Sequence, residues 1–134
     1  MNYVSYEDFQ KSDYAMSFFQ KNPSIGFLKI VVSAFSSAVP IDNAEVTVYK
    51  DVEDMRVVFF QGKTDVSGII DDIMLPSPKS MNFGSLDVPD YEVYSIDVQK
   101  EGFEKIVGFM IGVIDGIKII QNFSLKPLIN LEIR

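Results

Sequence analysis

Residues 62–76 read GKTDVSGIIDDIMLP, and the fold turns on whether Asp65, Asp71 and Asp72 form an acidic site or a strand-reversing turn. A calcium loop of the EF-hand type needs oxygen ligands at its first, third and fifth positions and glycine at its sixth. Counted from Asp65, those later positions hold Ser67, Ile69 and Ile70, so the template fails where it is most demanding. A catalytic carboxylate pair is held by separate elements facing one cleft, whereas Asp71 and Asp72 are neighbours that would point to opposite sides of a strand. The turn reading has a direct mechanism. Asp65 can accept bonds from the amides that follow it, and Gly68 can take a left-handed conformation without a Cβ clash. Ile69, Ile70 and Ile73 then re-enter a sheet, which Pro76 ends.

Outward from this turn the chain alternates with the period of strands. In FLKIVVSAF (27–35) Leu28, Ile30, Val32 and Ala34 share one face, and in AEVTVYK (44–50) Ala44, Val46 and Val48 do the same. RVVFFQGKT (56–64) is rich in β-formers, and YEVYSIDVQ (91–99) places Glu92, Tyr94, Ile96 and Val98 on one side. Gly102 turns the chain into FEKIVGFMIGVI (103–114), and Asp115-Gly116 is a strong two-residue hairpin signal leading to IKIIQNFSL (117–125). The expected fold is all-β, a seven-stranded antiparallel β-sandwich over residues 25–127. LINLEIR (128–134) alternates as well and reads as a tail or edge strand, with Leu131 and Ile133 on one side.

Residues 1–24 precede the sandwich and read as a short helical arm. Ser5 and Asp8 form an acidic variant of the capping box, and Asn22-Pro23 stops the helix. Tyr6, Phe9, Tyr14, Phe18 and Phe19 give the arm an aromatic stripe. Such a stripe either packs on its own domain or fills a groove on a neighbouring subunit.

Composition removes several function classes. The chain has 134 residues, 47% hydrophobic, enough for one real core and too apolar for disorder. Its net charge of −7 and its scattered lysines argue against nucleic acid as a partner. The apolar run Ile106–Ile114 is far short of a membrane span. MNYVSYEDFQ (1–10) lacks the basic and apolar blocks of a secretory signal, so cytoplasmic synthesis without a signal peptide is expected. With no cysteine and no histidine, thiol chemistry, thiolate metal sites and imidazole triads are out of reach. No cofactor or metal site is expected.

The succession GFLKIVV, PIDNAEVTV, GKTDVSGII and YSIDVQKEGF resembles the transthyretin-like, or carboxypeptidase-regulatory-like, β-sandwich of prealbumin type. The positions that carry the likeness are Pro40, Ala44, Val46, Thr64, Asp65, Gly68, Tyr94, Ile96, Val98, Gly102 and Phe103. FFQKNPSIGFLKI, LPSPK, DVPDYEVY and IIQNFSLKP are similar to the sandwich domain at the start of spore cortex-lytic proteins and to short relatives in spore-forming Firmicutes. The resemblance implies an accessory or assembly module, with the spore or cell surface as final location. The hydroxyisourate hydrolases share the fold but use histidines and end in Tyr-Arg-Gly-Ser, and this chain has neither feature.

The expected function is therefore a non-catalytic structural protein that assembles into an oligomer or filament through its terminal arms and sandwich edges. Tyr6, Phe9, Tyr14, Phe18, Phe19, Leu131 and Ile133 are the candidate contacts, while Asp65, Gly68, Gly102, Asp115 and Gly116 are structural turn residues. The alternative is a module that binds cell-wall polymer or protein through the loops at 36–43 and 76–90, where Phe83 and Tyr91 are the aromatics. A Lys-to-Asn isopeptide bond of the pilin type would need Lys29, with Asn122 or Glu92 as its partners, and is not expected because a buried lysine without a partner is rare. The intact mass should equal the calculated one, and a mass lower by one ammonia would reveal that bond.

Overall fold

The structure, a computed structural model, describes residues 2–80 and 90–129. Two sheets face each other across a core of alternating apolar residues. The first sheet runs β1 (Asn2–Ser5), β5 (Met55–Lys63), β4 (Glu45–Val52), β7 (Glu92–Gln99) and β8 (Ile106–Val113). The second is built around β2 (Ser24–Ala34). On one side of β2 lie β6 (Ile69–Ser77) and the two-residue β3 (Val39–Pro40); on the other lies β9 (Lys118–Leu125). Leu28, Ile30 and Val32 of β2 are fully buried against Val46 and Val48 of β4 and Ile96 and Val98 of β7, within one cluster.

The described residues hold nine strands rather than seven, and two of the pairings are parallel. The two additional strands have local causes. β1 joins β5 in parallel register from Asn2↔Met55 to Ser5↔Val58, and four residues are too few for alternation to announce a strand. β3 pairs with Ser33 and Ala34 only, extending the β6 side of β2 past Val31. The second parallel pair, β2 with β9, runs from Phe27↔Lys118 to Ala34↔Leu125. It follows from the way Asp115-Gly116 turns the chain. Instead of returning β9 along β8 as a hairpin, the turn carries it across to the other sheet, with Gly116 at φ +69° and its N–H donating to the Ile25 carbonyl.

The arm is a strand followed by two short helices, α1 (Tyr6–Gln10) and α2 (Ala15–Lys21), in place of one continuous helix. Ser5 caps α1 by accepting from the Asp8 N–H at 3.1 Å. At the other end Ser12 turns back on the helix, its hydroxyl donating to the Phe9 carbonyl at 2.7 Å, and this local competition breaks the helix before Tyr14. α2 ends at Asn22, and β2 starts at Ser24 after Pro23.

The aromatic stripe of the arm faces its own sandwich, the first of the two arrangements its sequence leaves open. Phe9 is fully buried, and Phe18 nearly so. Tyr6 and Phe19 pack against the same cluster from its margin. Only Tyr14, 46% exposed, remains at the surface. Truncation of Phe9 to Ala should therefore cost about 3–5 kcal/mol of folding stability, as for other buried aromatic truncations. Chemical denaturation checks it, and a loss below about 1 kcal/mol would show that the arm is not part of the cooperative core.

Candidate functional site

The turn at residues 64–69 is held by its own side chains. Asp65 Oδ1 accepts from the N–H groups of Ser67 and Ile69, each at 2.9 Å, and its carbonyl accepts from the Gly68 N–H. Gly68 sits at φ +76°, and a Cβ there would lie 2.3 Å from the Val32 carbonyl oxygen, so the position admits no side chain. Thr64 beneath it is buried, donating to the Ile41 carbonyl and accepting from the Ala44 N–H. Gly102, at φ +88°, reverses the chain after β7.

Asp71 and Asp72 lie on the same side of their sheet, not on opposite sides. A bulge explains it. The β2–β6 register slips between Leu28 and Ile30, Asp72 takes φ +58°, and its N–H donates to Asp71 Oδ1. Lys118 on β9 reaches both carboxylates, at 2.7 Å and 3.7 Å. The lysine's hydrogen bond holds the Asp71 carboxyl below the usual carboxylate range, and the pairing raises Lys118 in return. Among the described residues no group of three or more potential metal ligands gathers.

The buried charge lies elsewhere. Glu92, on the core-facing side of β7, is 4% exposed. It takes a salt bridge from Lys50 of β4 at 2.9 Å and another from Lys21, the last residue of α2, at 3.6 Å. Lys50 also donates to the Val93 carbonyl at 2.9 Å. Glu92 thus joins the end of the arm to both central strands. Beside it, the fully buried Tyr94 donates its hydroxyl to the Pro76 carbonyl at 2.5 Å, and burial raises its ionisation well above the ordinary phenol range. The alternation that puts Glu92 on the core face is visible in the sequence, but its lysine partners come from elements 42 and 71 residues away and carry no local signal. Lys29 lies in the β2–β9 pairing opposite Ile120, and Asn122 is exposed.

The outer faces carry two further features. Across the first sheet, the Arg56 guanidinium stacks over Tyr49 at 4.5 Å and Tyr3 at 5.8 Å while pairing with Asp51 at 2.8 Å. Tyr49 donates to Asp97 Oδ1, which also accepts from the Gly108 N–H, so the chain of contacts touches all five strands. Its far end is β8, an edge strand among the described residues. Val107 and Met110 of β8 are 70% and 69% exposed, and Phe109 is partly so, its ring against Phe123 of β9 at 5.1 Å. β9 is an edge too, with Ile120 and the preceding Ile117 both exposed. Leu131, Ile133 and Phe83 lie outside the described residues, and Tyr91 is exposed.

These features define a β-sandwich domain closed on one side by its N-terminal arm and, among the described residues, open along β8 and β9. No protein-family model and no curated protein sequence matches the chain. Solved structures do resemble it in fold. The Bacillus anthracis TIE protein matches with a TM-score of 0.51 at 18% identity, over 78% of this chain and 17% of that one. The 3-chlorocatechol 1,2-dioxygenase of Rhodococcus opacus 1CP matches with a TM-score of 0.52 at 9% identity, over 78% of this chain and 60% of the enzyme. The catechol 1,2-dioxygenase of Acinetobacter radioresistens matches at 0.52 and 11% identity, over 99% of this chain and 61% of the enzyme. The chain thus spans a part of each of these proteins, and identities this low show the fold alone. Among the described residues no helix is long and apolar enough to cross a membrane.

The raised ionisation of Tyr94 sets the sign of an alkaline transition. The folded state favours the neutral phenol, so its contribution is intact below the unfolded value near pH 10 and is lost progressively as pH rises from there toward the raised folded value. Melting temperature should begin to fall at about pH 10 and keep falling as the pH is raised further. The fall should be smaller in Tyr94→Phe, and an equal fall in both proteins would remove Tyr94 as its source.

Proposed function

We propose that this chain is a non-catalytic structural protein that self-associates through the open β8 edge of its sandwich. The observation that carries the reading is that edge strand. Natural sheets guard their edges with charges, prolines or covering segments because an unpaired row of N–H and C=O groups recruits other strands. IVGFMIGV has no charge and no proline, and among the described residues nothing pairs with its outer side. The occupant that suits it best is β8 of a second copy. Two uncharged strands can pair antiparallel about a two-fold axis without placing like charges opposite one another. Val107 and Met110, exposed in the single chain, then gain cross-strand apolar neighbours that cover part of their surface. The neighbouring β9 edge offers a second contact, and use of both edges extends a dimer into a filament.

The arm enters this reading as a clamp that completes each subunit, since its aromatic residues point inward. Absence of histidine and cysteine supports a non-catalytic role. The motif likeness to transthyretin-like sandwiches and to the leading domain of spore cortex-lytic proteins supports a place at a spore or cell-wall surface.

Light scattering across a concentration series tests the proposal. The wild-type chain should form dimers or larger species, and Val107→Lys with Met110→Lys should shift them to monomer with unchanged circular dichroism. A wild-type chain that stays monomeric at every concentration would sink it.

A further inference from the structure

The outer face of the second sheet is apolar where a solvated face would be polar. Leu28, Ile30 and Val32 of β2 point into the core, so Ile25, Phe27, Lys29 and Val31 form its outward row, with one charge among three large apolar side chains. Beside that row, in register, stand Met74 of β6 opposite Phe27 and Ile120 of β9 opposite Lys29, 62% and 56% exposed. A sheet with one wet face alternates cleanly between apolar and polar, whereas a strand apolar on both sides is the pattern of a sheet covered on both. Among the described residues Ile25, Met74 and Ile120 stay open to solvent.

The same face holds four charges, divided between its flanks. Asp71 and Asp72 lie on β6 and Lys118 on β9, and Lys118 spans β2 to reach both carboxylates. Lys29 stands between them on β2, near enough for its charge to act on Asp71. Two acids and two lysines cancel, in a chain whose net charge is −7. A second copy therefore meets here a surface that does not repel it.

We infer that this face receives the same face of a second copy, the two related by a two-fold axis running along β2. Such an axis turns β6 of each copy over β9 of the other, so the acidic flank of one comes over the basic flank of its mate; an axis across the strands would set acid over acid. β2 then lies over β2, and Ile25, Phe27 and Val31 gain apolar neighbours. Aligned stacking about 10 Å apart is an ordinary way for two sheets to pack face to face. Lipid acyl chains suit the face less well, because they would cover all four charges and return no counter-charge. The contact goes beyond the β8 pairing and is separate from it, since β8 belongs to the first sheet. The four charges keep it weaker than the edge contact, so a cross-link is the means to trap it.

The chain has no cysteine, so Ile25→Cys places a single reporter on the axis. A short bifunctional maleimide should join two Ile25→Cys chains, and Val66→Cys, exposed on the turn at the end of the sandwich, should not be joined. Adding Met74→Lys with Ile120→Lys should lower the yield about tenfold, because the new ammonium groups face an apolar contact. These two substitutions move the net charge from −7 to −5 (−7 + 2), so general repulsion falls and cannot account for the loss. Light scattering on the lysine variant should still show edge-paired dimers, a readout that belongs to the β8 reading alone. No cross-link at Ile25→Cys, an equal yield at Val66→Cys, or a yield indifferent to the lysines would overturn the face contact and leave edge pairing to its own test. Protection of the Ile25→Cys thiol from a monofunctional maleimide at the lowest protein concentration would overturn it as well, by assigning the cover to the chain itself. Sedimentation with phosphatidylcholine vesicles that the lysine variant loses would assign the face to lipid instead.

Discussion

The ring of Phe59 on β5 meets four other aromatic rings, those of Tyr6, Phe9 and Phe18 from the arm and Tyr94 from β7, at centroid distances of 4.9 to 6.2 Å. Most of the architecture depends on this junction. Phe59 stands on the core-facing side of β5 and is an aromatic residue that needs partners. The arm supplies them. β1 first fixes its start to the first half of β5, and α1 and α2 then bring Phe9 and Phe18 against the Phe59 ring. Edge and tilted ring contacts of this kind add to the gain from burial itself.

The ionic contact at the far end of the arm belongs to the same junction. Lys21 leaves α2 to reach Glu92, which Lys50 already satisfies from the adjacent strand. A carboxylate this buried is tolerated only because it is paired and its neighbours are ordered. The pairing with Lys21 is the weaker of the two, since that lysine is 70% exposed and solvent screens it. Aromatic burial therefore sets how strongly the arm is held, and the charge sets its register against β7. Because the arm covers the β5 side of the first sheet, the β8 side is left as its open edge.

Much of this was legible in the residues. The alternation of Leu28, Ile30, Val32 and Ala34, of Val46 and Val48, and of Tyr94, Ile96 and Val98 names core positions directly, because a strand has only two faces. All of these positions are buried. What resisted reading was non-local. β1 depends on β5 as its partner more than 50 positions further on. Asp71 and Asp72 share a side because of a bulge that no periodicity encodes. The open edge could not be recognised as such, since an apolar strand looks the same in sequence whether one or both of its flanks are paired. The meeting of charged residues at one end of the sandwich is harder still. Lys63, Lys100 and Lys105 come from separate strand ends, and only the sheet order brings them together.

The Asp115-Gly116 corner shows why local signals and topology can part. A glycine at positive φ permits a tight reversal, but which of the free edges the returning strand takes is decided by the apolar surface it buries there. β4 and the strands beyond it already occupy one side of β7, and β8 occupies the other. β2 had a vacant flank. By pairing there in parallel, β9 buries Phe123 and Leu125 against the second sheet, a gain that a hairpin with β8 could not offer, since such a strand would have continued the first sheet past its core. The consequence is that β8 and β9 end as edges on the same side of the sandwich. The apolar residues exposed along that side are thus the counterpart of the burial achieved by the crossing.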